Sequence, residues 1–281
     1  MSFPFQMVDV FGSGSFSGNP LAAVMLEGDP DAEEMQRLTR WFNLSETAFL
    51  LPPTHPDADY RVRIFTLERE MPFAGHPTLG SCHAWLTAGN VAKLPGKIVQ
   101  ECGAGLVAIR RDRTRLSFAA PPLIRSGPPS RAELDEARRF LGIEAGEIVD
   151  AAWIDNGPGW LGVRLASAEK VLSLNPARSW PVRLDIGVVG AHPPGSATAF
   201  EVRAFFSDQF GMIMEDPVTG SLNASVAQWL FETGVAKGDY VAAQGRCRGR
   251  EGRVHVSRDD AGTIWVGGET RTHVAGRLQG F

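Results

Sequence analysis

Two stretches of this chain gather polar residues just ahead of long uncharged runs: Phe73-Ala74-Gly75-His76-Pro77-Thr78 and Glu215-Asp216-Pro217-Val218-Thr219-Gly220-Ser221. Each run reads as a helix. A helix start offers N–H groups without intrahelical partners and the positive end of the peptide dipole, which suits a carboxylate. Two such starts facing one cleft would hold a small anionic metabolite with neither metal nor cofactor. A plainer role is also open, with His76 and Asp216 simply capping their helices. Glu46 stands in Asn43-Leu44-Ser45-Glu46-Thr47, directly before the apolar run Ala48–Leu51. It reads as a functional carboxylate, as a surface carboxylate, or as the last member of an Asn-x-x-Glu capping box. Pro52 and Pro53 leave little room for the helix that such a box would need.

Other signatures are absent. The sequence has no GxxxxGK[ST], GxSxG or HExxH, and the glycine after Gly12-x-Gly14 stands at 18, the wrong spacing for a dinucleotide fingerprint. His76 and His83 lie seven residues apart with no carboxylate beside them, two turns of helix, so no metal site is predicted. The three cysteines, Cys82, Cys102 and Cys247, are scattered and offer neither a disulfide framework nor a CxxC pair.

The elements that must position these groups fit a chain of 281 residues with 43% hydrophobic and 21% charged residues, which suggests two globular domains. A formal charge of −4 and a pI of about 5.9 argue against nucleic acid and against a polybasic membrane anchor. The opening Met1-Ser2-Phe3-Pro4 lacks the basic start and apolar run of a signal peptide, and no apolar stretch approaches the ~20 residues of a membrane span. A reduced, cytoplasmic chain is the expectation.

Strands are predicted at Gln6–Phe11 and Leu21–Leu26 around the glycine- and serine-rich turn from Gly12 to Gly18, then at Thr47–Leu51 and Tyr60–Thr66. Between them a helix is predicted to start at Asp29-Pro30, with Met35, Leu38, Trp41 and Phe42 on one face, and to end at Asn43. From Met71 to Asn90 there is no charged residue, and Thr78–Ala88 reads as a helix apolar on every side, the mark of a buried helix. Gly80, Ala84 and Ala88 recur at four-residue spacing, a stripe that lets strands come close. Strands follow at Lys97–Cys102, Leu106–Arg110 and Arg115–Phe118.

Four prolines in Ala119–Ser130 mark a connector, and Ser130 with Glu133 forms a capping box for a helix through Leu141. The second half repeats the plan, with strands at Val149–Ile154, Trp160–Leu165, Leu184–Val189 and Phe200–Phe206 before an uncharged helix Val218–Phe231. A shift of 144 residues lays Trp85-Leu86 on Trp229-Leu230 and Ser81 on Ser225, the helices stop at Gly89 and Gly234, and hairpins follow near Leu106–Phe118 and Arg253–Val266. A duplication is implied. The predicted architecture is α/β, with two similar domains at 1–118 and 131–267, a linker at 119–130, and a cleft between the domains as the place for a small molecule.

Val8-Asp9-Val10-Phe11, Gly18-Asn19-Pro20-Leu21-Ala22, Asn43-Leu44-Ser45-Glu46-Thr47, Pro72-Phe73-Ala74-Gly75-His76-Pro77-Thr78 and Asp216-Pro217-Val218-Thr219-Gly220-Ser221 together resemble the PhzF-like phenazine biosynthesis family. The likeness runs in order from near residue 4 to Gly267-Gly268, and motifs in series make it specific. The resemblance implies a diaminopimelate-epimerase-like fold, two pseudo-symmetric domains that each roll a sheet around a central buried helix, with the C-terminal strand 268–281 commonly returning to the first domain. It also implies a homodimer and a cofactor-independent isomerase. The family's acid/base glutamate falls on Glu46, and its histidine, aspartate and serine fall on His76, Asp216 and Ser221; burial would raise the carboxyl's pKa toward the working range. Asn19, Ser45, Gly75 and Gly220 are implied as lining residues.

Epimerases and proline racemases of this fold carry one cysteine at each helix start, where this chain has Ala74 and Asp216-Pro217. A thiol mechanism is therefore disfavoured. The other readings are an amino-acid epimerase or racemase, and a metabolite-binding protein without catalysis. After Ser221 the chain has Leu222-Asn223 where many relatives carry small residues, a departure expected to reshape the pocket.

Overall fold

The computed structural model describes residues 2–112 and 115–280. Residues 113–114, inside the predicted hairpin Leu106–Phe118, and Phe281, at the end of the predicted returning strand, lie outside the described residues. The chain forms two compact units, Met1–Ala119 with Gly267–Phe281, and Ala120–Val266.

The first unit runs β1 (Ser2–Val10), β2 (Asn19–Met25), α1 (Ala32–Phe42), β3 (Glu46–Leu51), β4 (Tyr60–Thr66), β5 (Glu70–Met71), α2 (Gly75–Thr87), β6 (Lys97–Cys102), β7 (Gly105–Asp112) and β8 (Arg115–Ala119). β1 and β2 pair antiparallel, β2 and β3 parallel, β3 and β4 antiparallel, β4 and β6 parallel, and β6, β7 and β8 antiparallel in turn. Helix α2 touches β1, β2, β3, β4, β6 and β8, and Gly75 through Cys82 are all buried. That is the all-round burial its uncharged sequence requires.

The second unit runs β9 (Arg125–Gly127), α3 (Arg131–Leu141), β10 (Ile148–Asp155), β11 (Leu161–Leu165), α4 (Ala168–Ser173), β12 (Asp185–Ala191), β13 (Phe200–Ser207), β14 (Ile213–Asp216), α5 (Gly220–Glu232), β15 (Tyr240–Gln244), β16 (Gly252–Arg258) and the first residues of β17 (Ile264–Gln279). β10 and β11 pair antiparallel, β11 and β12 parallel, β12 and β13 antiparallel, β13 and β15 parallel, and β15 and β16 antiparallel. This is the pairing sequence of the first unit over again. Short β5 and β14 both lie antiparallel on the strand before them and lead into the central helix. From Gly267 onward β17 belongs to the first unit, pairs with β1 from Ser2↔Gln279 to Val10↔Thr270, and also pairs with β8. Eight strands of the described first unit thereby close around α2.

Several local readings need correction. α1 begins at Ala32 with Asp31 at its N-cap, because Asp29 is engaged by Arg61 at 2.6 Å and Arg63 at 2.9 Å. α2 begins at Gly75, three residues before the predicted Thr78. Pro77 sits in its first turn, where the missing N–H had no helical partner to lose. α5 begins at Gly220, not Val218. Both central helices have 13 residues and start at Gly75 and Gly220, so the internal offset is 145 rather than 144. Residues 125–127, read as connector, add a strand to the edge of β10, and α3 carries the predicted Ser130–Glu133 capping box.

Close approach of helix to strand is arranged differently in the two units. In the first the helix supplies the glycine: a Cβ on Gly80 would lie 2.4 Å from Leu21 and 3.1 Å from Val10. In the second the strand supplies it: a Cβ on Gly187 would lie 2.2 Å from Leu222. Overpacking a filled core costs about 1–3 kcal/mol, so Gly80→Ala is expected to lose that much unfolding free energy in urea titration. Gly28→Ala, with nothing within 4 Å of its added Cβ, is expected to lose less than ~0.5 kcal/mol. Equal losses would contradict the close approach at Gly80.

Candidate functional site

In the first unit the candidate groups converge on the second residue of α2. The turn between β1 and β2 is closed by Asp9, whose carboxylate accepts the Ser17 N–H at 3.0 Å and the Gly18 N–H at 2.8 Å. Gly18 must be glycine, because a Cβ there would lie 2.1 Å from the Val10 carbonyl oxygen. The turn delivers Asn19, fully buried, with Nδ2 3.3 Å from His76 Nδ1. On the other approach Asn43 takes the left-handed conformation (φ +54°) and ends α1, and Glu46 opens β3 opposite Thr66. Its Oε2 lies 3.4 Å from His76 Nδ1. Ser45, half-buried, immediately precedes it, and Gly75 is the first helical residue.

Burial pushes the His76 pKa down to about 3, against a small opposing effect of the Pro20 carbonyl. At neutral pH the imidazole is therefore uncharged, and its approach to Glu46 is not an ion pair. His76 is also not a cap, since Ala74 holds that position.

In the second unit Asp216 is the last residue of β14 and Thr219 is the N-cap of α5, so Asp216 does not cap the helix either. Both side chains are buried, and the Thr219 hydroxyl donates to Asp216 Oδ2 at 2.6 Å. Gln244, at the end of β15, donates through Nε2 to Thr219 Oγ1 at 2.9 Å and to the Asp216 carbonyl at 3.3 Å. Its own carbonyl accepts the Thr219 N–H at 3.0 Å and Asn223 Nδ2 at 2.8 Å. With its acceptor side filled by Gln244, the Thr219 hydroxyl faces Asp216 as a donor and orients that carboxyl. Ser221, the second helical residue, accepts the Trp160 indole N–H on Oγ at 3.2 Å and Asn156 Nδ2 on its carbonyl at 3.0 Å. At the offset of 145, His76 and Ser221 are equivalent positions, as are Gly75 and Gly220.

The sequence reading missed Trp160, Thr219 and Gln244. Of the Leu222-Asn223 pair, Leu222 packs on Gly187, and Asn223 bonds Gln244 and the Thr219 carbonyl, behind Asp216. His83 is separate from His76 in role: its ring nitrogens meet Thr270 Oγ1 at 2.8 Å and Thr272 Oγ1 at 2.9 Å. Among the described residues no three His, Cys, Asp or Glu side chains gather as metal ligands, and no helix is long and apolar enough to cross a membrane. Cys82 is buried more than a turn inside α2 and burial pushes its thiol up to about 12; Cys102 and Cys247 are also shifted upward, chiefly by burial.

The lowered pKa of His76 has a consequence for stability. Between pH 6.5 and about pH 3 the unfolded chain binds a proton at His76 that the folded chain refuses, so this residue lowers stability as pH falls through that window. His76→Gln removes the proton from both states. The pH slope of its unfolding free energy between about pH 6 and 4 is expected to be shallower than that of the unaltered protein by up to roughly one proton per molecule. Identical slopes, or an imidazole that titrates near 6.5 in the folded protein by NMR, would contradict the burial argument.

Residues 8–277 match the phenazine biosynthesis-like protein family (PhzC-PhzF). Antisense-enhancing sequence 1 of Schizosaccharomyces pombe is 33% identical, with 97% of each chain covered. A trans-2,3-dihydro-3-hydroxyanthranilate isomerase of Pseudomonas chlororaphis is 30% identical over 82% of this chain and 80% of that enzyme. Among solved structures, a phenazine biosynthesis protein of the PhzF family from Enterococcus faecalis superposes with a TM-score of 0.78 at 25% identity, covering 99% of both chains. With its mixed α/β, epimerase-like fold, the chain belongs to the PhzC-PhzF phenazine biosynthesis-like family and is an isomerase of that kind.

Proposed function

We propose that this chain is a cofactor-independent isomerase that moves a proton on a small cyclic or amino carboxylate, with Glu46 as the acid and base. The observation that carries this reading is the Glu46 carboxyl 3.4 Å from a buried, uncharged His76 at the start of α2. An imidazolium at that distance would hold the carboxyl as a fixed ion pair and blunt it as a proton carrier. A neutral ring leaves Glu46 able to take a proton from an activated carbon and return it to another on the same face. The carbon–hydrogen bond breaks to Glu46, the electron pair shifts along the conjugated substrate, and the same carboxyl protonates the far carbon, so atoms and charge balance with no further reagent.

In this reading Asp216 receives an amino or hydroxyl group of the substrate, its carboxyl oriented by Thr219. Ser221 and the N–H groups of the first turn of α5 receive the substrate carboxylate. Asn19 acts on His76 rather than on substrate, and Ser45, Gly75 and Gly220 supply backbone close to the reacting groups. An amino-acid racemase working through thiols has less support, because no cysteine stands at a helix start and burial holds Cys82 as a thiol.

Turnover of trans-2,3-dihydro-3-hydroxyanthranilate, or of another small cyclic amino carboxylate that the protein accepts, tests the reading. Glu46→Gln preserves size and shape but not the ionisable group. It is expected to lower turnover by at least ~10²-fold, with substrate affinity and thermal stability little changed. Asp216→Asn is expected to weaken binding as well as turnover. A Glu46→Gln protein with near-normal turnover would remove the base and with it the proposal.

A further inference from the structure

The segment between β10 and β11 converges on one residue of α5 that lies 61 to 65 positions further along the chain. It is a rigid turn. The Asp155 carboxylate accepts the N–H groups of Gly157 at 2.7 Å and Gly159 at 2.8 Å, both glycines have positive φ, and the Ile154 N–H bonds the Trp160 carbonyl at 3.0 Å. From this turn Asn156 donates to the carbonyl of Ser221 and the Trp160 indole donates to its hydroxyl, and all three residues are buried.

An indole N–H is a donor only. A serine hydroxyl that accepts from it must point its own proton elsewhere, and among the described residues that proton has no acceptor. The first unit has a counterpart: the β1–β2 turn places Asn19 against His76, the residue equivalent to Ser221, through an amide nitrogen 3.3 Å from the ring nitrogen. In both units a buried group at the start of the second strand therefore backs the second residue of the central helix.

We infer that Trp160 is a positioning residue that holds the Ser221 hydroxyl as a donor, which fixes this helix start for an anionic oxygen of the substrate and against a group that can only donate. Trp160 acts through Ser221 and touches no reacting atom. The inference rests on the proposed role of Ser221 as a carboxylate anchor.

The test is a double-mutant cycle on KM and kcat with trans-2,3-dihydro-3-hydroxyanthranilate or the amino carboxylate found to be turned over. Trp160→Phe keeps an aromatic ring but loses the N–H. It is expected to raise KM about fivefold to twentyfold, with kcat within about threefold, as loss of one buried hydrogen bond would do. Ser221→Ala is expected to raise KM by as much or more, and Trp160→Phe added to it is expected to have no further effect. An equal rise in KM from Trp160→Phe in both backgrounds would show a packing role and overturn the inference. So would an unchanged KM in Trp160→Phe beside a raised one in Ser221→Ala. An unchanged KM in Ser221→Ala would instead remove the anchoring role on which the inference rests. If Trp160→Phe fails to fold, the intact protein reports the same bond: among its seven tryptophans the Trp160 indole ¹H–¹⁵N signal must move on Ser221→Ala, and an unmoved signal overturns the inference.

Discussion

Each unit depends on a central helix whose first two turns are buried on every side. A helix apolar on every side must be covered on every side, and the sheets of this protein are built to do that. The requirement accounts for the absence of charge from Met71 to Asn90 and from Val218 to Phe231. It also accounts for glycine at the two points of closest approach, Gly80 on the helix and Gly187 on the strand. A buried helix still has a polar beginning, and an unpartnered polar group in such a place costs about 1–3 kcal/mol. Buried amides from the following strand meet that demand in both units: Gln100 donates to Thr78 at 3.0 Å, and Gln244 bonds Thr219 and Asn223. The helix starts are thereby polar, buried and hydrogen-bonded, which are conditions under which a carboxyl or hydroxyl can be aimed.

The duplication supplies two such starts and the sequences have since diverged at them. The equivalent second residues are His76 and Ser221, and the groups that back them are Asn19 and Trp160. Among the described residues, only the first start has a carboxylate brought beside it from another strand, Glu46. Only the second has an acid just ahead of the helix with its hydrogen bonding set by a neighbouring hydroxyl, Asp216 with Thr219. In the proposed reading the first start moves a proton and the second holds an anion. A symmetric pair of thiols would be the arrangement for racemisation, and burial holds Cys82 as a thiol.

What was legible in the sequence follows from range. Strands bounded by turns, such as Tyr60–Thr66 and Lys97–Cys102, were read to the residue, and the Ser130–Glu133 capping box was visible because its partners are three residues apart. α4, with six residues, and β5, with two, are too short to show periodicity. Asp29 looked like a cap because its partners Arg61 and Arg63 lie 32 and 34 residues away, and nothing local marks that pairing. The candidate residues Glu46, His76, Asp216 and Ser221 stood out through local motifs. Their partners did not: Trp160 and Gln244 reach α5 across 61 and 25 residues of sequence, and no local pattern marks a tryptophan or glutamine as the group that orients a distant side chain.

The central claim is that Glu46, beside a neutral imidazole, carries a proton to and from carbon. Proton exchange in heavy water measures that transfer without depending on the direction of the net reaction. With trans-2,3-dihydro-3-hydroxyanthranilate, or the amino carboxylate found to be turned over, NMR is expected to show loss of a ring carbon-bound proton signal as deuterium enters. The rate in the unaltered protein is expected to exceed that in Glu46→Gln by at least ~10²-fold. Equal exchange rates in the two proteins would contradict the account.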